Sequence, residues 1–260
     1  MLTKYIILVL FVAVLFVSGC VQQQNPFELM KQANQKQTGF NYIIEYSVET
    51  ERVIDSNPSV QEYREVFYKS SDKIKNQVIV EDSVRHETIK NELGVFVCTY
   101  FAQDDILCIS VPDSGEIYNE DALKTLFDGG VIKSAVSEKE LSVEGEKRKC
   151  NNIELYADLA SLTQEKFKVI DNALGIEGGE YETSIIKEIR SSLCLDEETG
   201  VLLGSRTFTR FDAPYLDGVV DVSGSLIKTA TKLTTDPDFG DMDFQVPENA
   251  AIEEFPKDSV

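Results

Sequence analysis

The chain of 260 residues carries 45 Asp and Glu against 25 Lys and Arg, a formal net charge of -20, with one His, five Cys and no Trp. This charge excludes a basic stripe able to displace counterions from nucleic acid. One histidine also excludes a multi-histidine zinc site, and the 42% hydrophobic and 27% charged content is that of an ordinary globular protein.

The chain opens with Lys4 and an unbroken apolar run from Tyr5 to Val17, ending in Val17-Ser18-Gly19-Cys20. The run falls short of the ~20 residues of a membrane span but suits the hydrophobic core of an export signal. Small residues before a terminal cysteine have the form of a lipobox, in which the cysteine receives a diacylglycerol and the leader is cut before it. The competing reading is an uncleaved anchor helix. The division expected is residues 1–19 as leader, 20–24 as lipidated Cys20 with a short tether, and 25–260 as one domain. That domain lies at the outer face of the cell membrane, held there by the lipid on Cys20, since so acidic a body has no general attraction for anionic head groups.

From Asn25 a helix is predicted, with Asn25 as N-cap, Pro26 at the first position and Glu28 at capping-box spacing; Phe27, Met30 and Ala33 share a face and Gly39 ends it. Phe40, Tyr42, Ile44, Tyr46 and Val48 then alternate with mostly polar neighbours, the pattern of a strand covered on one side. Further strands are predicted over 63–68, 74–81, 84–91, 95–101 and 106–111, with turns between them, so the segment reads as an antiparallel meander. A helix follows Asn119, with Ala122, Leu123, Leu126 and Phe127 as its apolar stripe and Gly129-Gly130 as its stop. Another is predicted from Ser161 to Leu174, with Phe167 and Ile170 on its apolar face. Strands resume over 150–157, 185–195, 201–211 and 216–233, and Asp196-Glu197-Glu198-Thr199-Gly200 joins two of them as a hairpin. The fold class expected is α+β, one large antiparallel sheet with a few helices.

Besides Cys20, four cysteines remain, an even number in an exported chain, which points to two disulfides. Of the three possible pairings the sequence favours Cys98 with Cys108, facing each other across a hairpin, and Cys150 with Cys194. The alternation around Cys150 and Cys194 places both on the polar face of their strands, so the second bridge is expected to clamp the outside of the sheet.

Cys194 to Leu202 resembles the "strand, Asp-x-x-Thr-Gly, strand" hairpin of the LolA-like superfamily of lipoprotein-carrier and lipid-binding proteins, and Asp241 to Ala250 is similar to its terminal "Phe-x-x-Pro-x-x-Ala/Gly" strand. The resemblance covers roughly residues 25 to 253. It implies a curved, unclosed barrel wrapped around helices, with an apolar concavity for acyl chains. A lipid anchor sets this chain apart from a diffusing carrier, so an anchored relative is implied. Aromatic residues suit such a lining, and Phe40, Tyr42, Ile44, Tyr46, Phe96, Tyr100, Phe101, Leu123, Phe127 and Phe167 are its candidates, although ordinary core is the default reading of each taken singly.

No catalytic motif is present: Gly-x-Ser-x-Gly, Ser-x-x-Lys, His-Glu-x-x-His and a Gly-rich phosphate loop are all missing. His86 sits in a strand pattern as a solvated residue. Asp236 to Asp243 repeats carboxylates but lacks the spacing of a calcium loop. The function expected is non-catalytic binding or carriage of a lipid or other hydrophobic ligand, without cofactor or metal. A membrane-tethered sensor or scaffold with a filled core is the alternative.

Overall fold

The computed structural model describes residues 25–102, 105–111, 120–158, 163, 186–215, 218–240 and 243–254. Helix α1, Pro26–Gln37, begins where the capping signals place it: the Phe27 N–H donates to Asn25 Oδ1 at 3.0 Å, and Phe27 and Ala33 are buried. The cap thus serves the second helical residue, not the third. Helix α2, Glu120–Asp128, matches the stripe predicted after Asn119. The leader, Cys20 and the helix predicted from Ser161 to Leu174 lie outside the described residues.

Twelve strands form one sheet: β1 Tyr42–Ile54, β2 Asn57–Ser70, β3 Lys73–Val80, β4 Ser83–Asn91, β5 Gly94–Ala102, β6 Asp105–Val111, β7 Lys133–Val143, β8 Glu146–Asp158, β9 Ile186–Asp196, β10 Leu202–Tyr215, β11 Gly218–Thr235 and β12 Ala251–Glu254. Their order is β12-β6-β5-β4-β3-β2-β1-β11-β10-β9-β8-β7, so the sheet remains unclosed. All neighbours are antiparallel except β12, which pairs parallel with β6. Two-residue turns at Asp55-Ser56, Glu81-Asp82 and Glu144-Gly145 carry positive φ at both positions, the geometry that matches strand twist in tight hairpins.

Three elements differ from expectation. Strand β7 is an edge strand with Glu138, Lys139 and Glu140 exposed, so no apolar alternation announced it. β1 and β2 run on past Val48 as a long hairpin. Pro58 is accommodated there because β3 pairs only with Arg64–Ser70 and leaves that part of β2 without a neighbour on its other side. The terminal strand expected over 241–250 is turn and irregular chain where it is described, and the strand follows it at β12. Pro247, whose carbonyl accepts from the Ala250 N–H, sits in that turn.

Register defines two faces. On the first, one row reads Ile44–Phe67–Asn76–Thr88–Val97–Ile109 from β1 to β6, flanked by Tyr42–Lys69–Ile74–Lys90–Val95–Val111 and Tyr46–Glu65–Val78–His86–Thr99–Leu107. The main core gathers Tyr42, Ile44, Tyr46 and Val48 with Phe40, Tyr63, Phe67 and Leu203. α1 packs Leu29, Met30 and Ala33 on the first face of β8 and β9, against Ile153, Leu155 and Leu195. It is the one helix seen packed on the sheet among the described residues. A separate core occupies the second face of β4–β6: Ile89, Phe96, Cys98, Ile106 and Cys108, covered by Val246 and Ala250 of the C-terminal segment.

Both disulfides form as paired from the sequence. Cys98 and Cys108 face each other across β5 and β6 with Cα atoms 4.0 Å apart, and Cys150 joins Cys194 between β8 and β9 at 5.3 Å. The expectation that the second bridge clamps the exterior is overturned. Both its cysteines are buried in the main core, because β7 curls back over their face and lays Leu141 and Val143 on it. The approach is close: a Cβ added at Gly204, opposite Cys194, would lie 3.1 Å from Leu141 Cδ1. At the other end of the curl the Glu144 N–H donates to the Thr231 carbonyl of β11 at 3.2 Å.

The Asp-x-x-Thr-Gly hairpin is held by the Asp196 carboxylate. It accepts from the Thr199 N–H at 3.0 Å, the Thr199 hydroxyl at 2.6 Å and both Nε and Nη2 of Arg148, at 3.1 and 2.8 Å. Burial pushes its pKa up, but the hydrogen bonds from Arg148 and Thr199 and the arginine's charge outweigh that and hold it below the usual carboxylate value. A depressed folded-state pKa gives stability that is complete above the unfolded value of about 3.9 and is lost as pH falls through the folded one. Asp196→Asn is therefore expected to cost about 2 kcal/mol at neutral pH. Urea unfolding across a pH series should show the gap between parent and variant closing below pH ~4; a gap independent of pH would contradict this role for the carboxylate.

Candidate functional site

A strand covered on one face only should alternate apolar with polar residues. β5, Gly-Val-Phe-Val-Cys-Thr-Tyr-Phe-Ala, and β6, Asp-Ile-Leu-Cys-Ile-Ser-Val, do not. Their second face supplies Phe96, Cys98, Ile106 and Cys108 to a core. Their first face is apolar as well: Val95 and Val97 on β5, Leu107, Ile109 and Val111 on β6, continued by Ile74 and Val78 on β3.

Among the described residues none of these first-face side chains belongs to a core cluster of buried residues; Val97 is 39% exposed and the others are half-buried. They form an apolar floor that starts where the main core ends, at Phe67 and Tyr63 of β2. The floor is edged by Lys69 and Lys90 in one row and by Glu65 and His86 in another. Lys69 Nζ donates to the Gln37 carbonyl at 3.0 Å, and partial burial holds its pKa below the usual lysine value. Within the floor, Asn76 Oδ1 is buried and accepts no hydrogen bond, the one such side-chain atom among the described residues. A buried acceptor left open is costly, and a hydroxyl or amide donor brought by a ligand would satisfy it.

The predicted lining residues divide among three places. Phe40, Tyr42, Ile44 and Tyr46 come together as first-face core. Tyr42 stands 5.5 Å from Phe40 and 5.9 Å from Phe67 between ring centroids. The Tyr42 hydroxyl donates to Gln37 Oε1 and that of Tyr46 to the Leu202 carbonyl, and burial raises both phenol pKa values. Phe96 and Tyr100 fall on the second face, where the Tyr100 hydroxyl donates to buried Glu87 at 2.7 Å, with Lys75 Nζ 2.9 Å from the same carboxylate. Phe101 is exposed and Phe127 is half-buried on α2; the Leu123 side chain and Phe167 lie outside the described residues. The aliphatic floor is absent from the predicted lining because that lining was read from aromatic residues. Its signal was present in the failure of residues 95–101 and 106–111 to alternate.

His86 lies exposed on β4, its Nδ1 3.4 Å from Thr99 Oγ1. Among the described residues no group of three His, Cys, Asp or Glu side chains is placed to hold a metal ion.

No protein family and no curated protein sequence matches the chain. Solved structures similar to it include the lipoprotein LppX of Mycobacterium tuberculosis, 12% identical, with 83% of this chain and 97% of that chain covered and a TM-score of 0.37. An outer membrane lipoprotein-sorting protein domain from Vibrio parahaemolyticus is 12% identical over 84% of this chain and 95% of that chain, with a TM-score of 0.31. A DUF1329 family protein from Desulfovibrio piger is 11% identical over 85% and 95%, with a TM-score of 0.34.

Proposed function

We propose that the protein is a lipid-anchored, extracytoplasmic binding protein that holds an acyl chain or similar hydrophobic ligand on the first face of β3–β6, without catalysis. The observation that carries this reading is the apolar floor of Ile74, Val78, Val95, Val97, Leu107 and Ile109, joined to the main core yet, among the described residues, recruited into no core cluster. Each methylene buried there contributes about 0.8 kcal/mol, so a long acyl chain of about 14 methylenes supplies roughly 11 kcal/mol, on the scale of the about 4–15 kcal/mol cost of being immobilised. Two disulfides support an oxidising compartment, and the lipobox at Cys20 supports attachment to its membrane.

The test is extraction of the secreted form beginning at residue 25, followed by mass spectrometry of whatever it carries. Acyl lipid is expected in the extract. Val97→Asp, which puts a charge into the floor at a position tolerant of water, is expected to retain about tenfold less, equivalent to 1.4 kcal/mol of binding. Lipid-free protein in both cases would favour the alternative, a tethered scaffold with a filled core. That alternative draws its support from the tight packing of Tyr42, Ile44 and Tyr46, which leaves those residues nothing to offer a ligand.

A further inference from the structure

The second face of β8–β10 carries a cleft of about 490 Å³, away from the apolar floor. Register builds it from three strands: Tyr156 lies opposite Arg190, which lies opposite Phe208, and Arg206 and Arg210 flank Phe208 on β10. At ~3.3 Å per residue each of the two β10 arginines stands about 7 Å along the strand from the aromatic ring between them, and the two stand about 13 Å apart.

In a chain of net charge -20, three guanidinium groups on one wall are a local exception. Two are fixed by acids. Arg190 Nε donates to Glu188 while its guanidinium sits 5.4 Å from the centre of the Tyr156 ring, and Arg210 donates to both carboxylate oxygens of Asp221. A third acid, Glu154, has Lys139 Nζ at 3.7 Å. Arg206 is exposed and has no hydrogen-bond or ion-pair partner among the described residues, so the pairings leave one cation in excess, with all five of its donors free. A planar fork beside an aromatic ring, in a cleft large enough for a small polar group and its substituent, suits a tetrahedral oxyanion of single charge.

We propose that this cleft binds a phosphate group carrying one negative charge, either free phosphate or the phosphodiester of a lipid head group, with Arg206 as its principal ligand. The site is independent of the acyl-binding floor. The experiment uses the full chain in uncharged dodecyl maltoside micelles. One arm titrates inorganic phosphate by calorimetry; the other dopes the micelles with phosphatidylglycerol and follows phosphorus-31 line broadening. Binding in the first arm assigns the site to free phosphate, and binding in the second alone assigns it to the lipid head group. In whichever arm binding occurs, Arg206→Ala is expected to weaken it about tenfold. Circular dichroism of Arg206→Ala should be unchanged because the side chain is exposed and makes no hydrogen bond or ion pair among the described residues, and Lys147→Ala, which removes an exposed cation outside the cleft, should bind as the parent does. Absence of binding in both arms, or equal affinity of Arg206→Ala and parent, would overturn the proposal.

Discussion

Replacing Cys150 and Cys194 together by alanine is expected to lower the free energy of unfolding by about 4 kcal/mol, and replacing Cys98 and Cys108 by about 2.8 kcal/mol. The bridges close segments separated by 44 and 10 residues, and a cross-link removes more freedom from the unfolded chain when the loop is longer. Both bridges are buried and both join neighbouring strands, so either loss also leaves unfilled volume, beneath Leu141 and Val143 for Cys150–Cys194 and among Ile89, Phe96 and Ile106 for Cys98–Cys108; loop length sets the difference. Urea unfolding of the two double variants measures this directly. Equal losses would show that the curl of β7 is held by something other than the cross-link.

Gly200→Ala is expected to cost about 3 kcal/mol, although it adds a single methyl group. Two independent strains combine. Gly200 has φ +74°, a left-handed conformation that costs an alanine about 1–2 kcal/mol. The new Cβ would also fall 2.8 Å from Ala33 Cα and 2.9 Å from its carbonyl carbon, and overpacking of that kind costs about 1–3 kcal/mol. Because the clash is with backbone, Ala33→Gly should not rescue it. Relief would require α1 to lift from the hairpin, which breaks the bonds from Gln37 Nε2 to the Gly200 carbonyl at 2.7 Å and from Lys36 Nζ to the Glu197 carbonyl. A loss under about 1 kcal/mol, or rescue by Ala33→Gly, would mean that α1 is not docked as described.

Much of the sheet was legible because its strands alternate or carry runs of β-branched and aromatic residues, and both helices at Asn25 and Asn119 announce themselves by capping and apolar spacing. The failures have physical causes. β7 is wet on much of its length, and Glu138-Lys139-Glu140 reads as a loop until tertiary pairing makes it a strand. The outer half of the β1–β2 hairpin, Glu49 to Arg52, fails for the same reason, and its turn at Asp55-Ser56 uses left-handed residues other than glycine. The position of the second disulfide was misjudged because alternation reports which side a residue faces and not what later folds over that side. The candidate site was half legible. Residues 95–111 showed too many apolar positions for a strand with one dry face, but only the register separated those spent on the second-face core from those left over.

That register gives the sheet two cores on opposite faces, the buried side changing between β2 and β4. Across this change the first face has a packed layer over β1 and, among the described residues, none recruited over β4–β6, so a hydrocarbon laid on the floor, as proposed, would extend the main core and act as a missing piece of protein. Occupancy and folding then become one equilibrium. Ligand at a hundredfold excess over its dissociation constant would add about 2.7 kcal/mol to the folded state by mass action alone. A protein built in this way reports its cargo through its own stability, with no moving part.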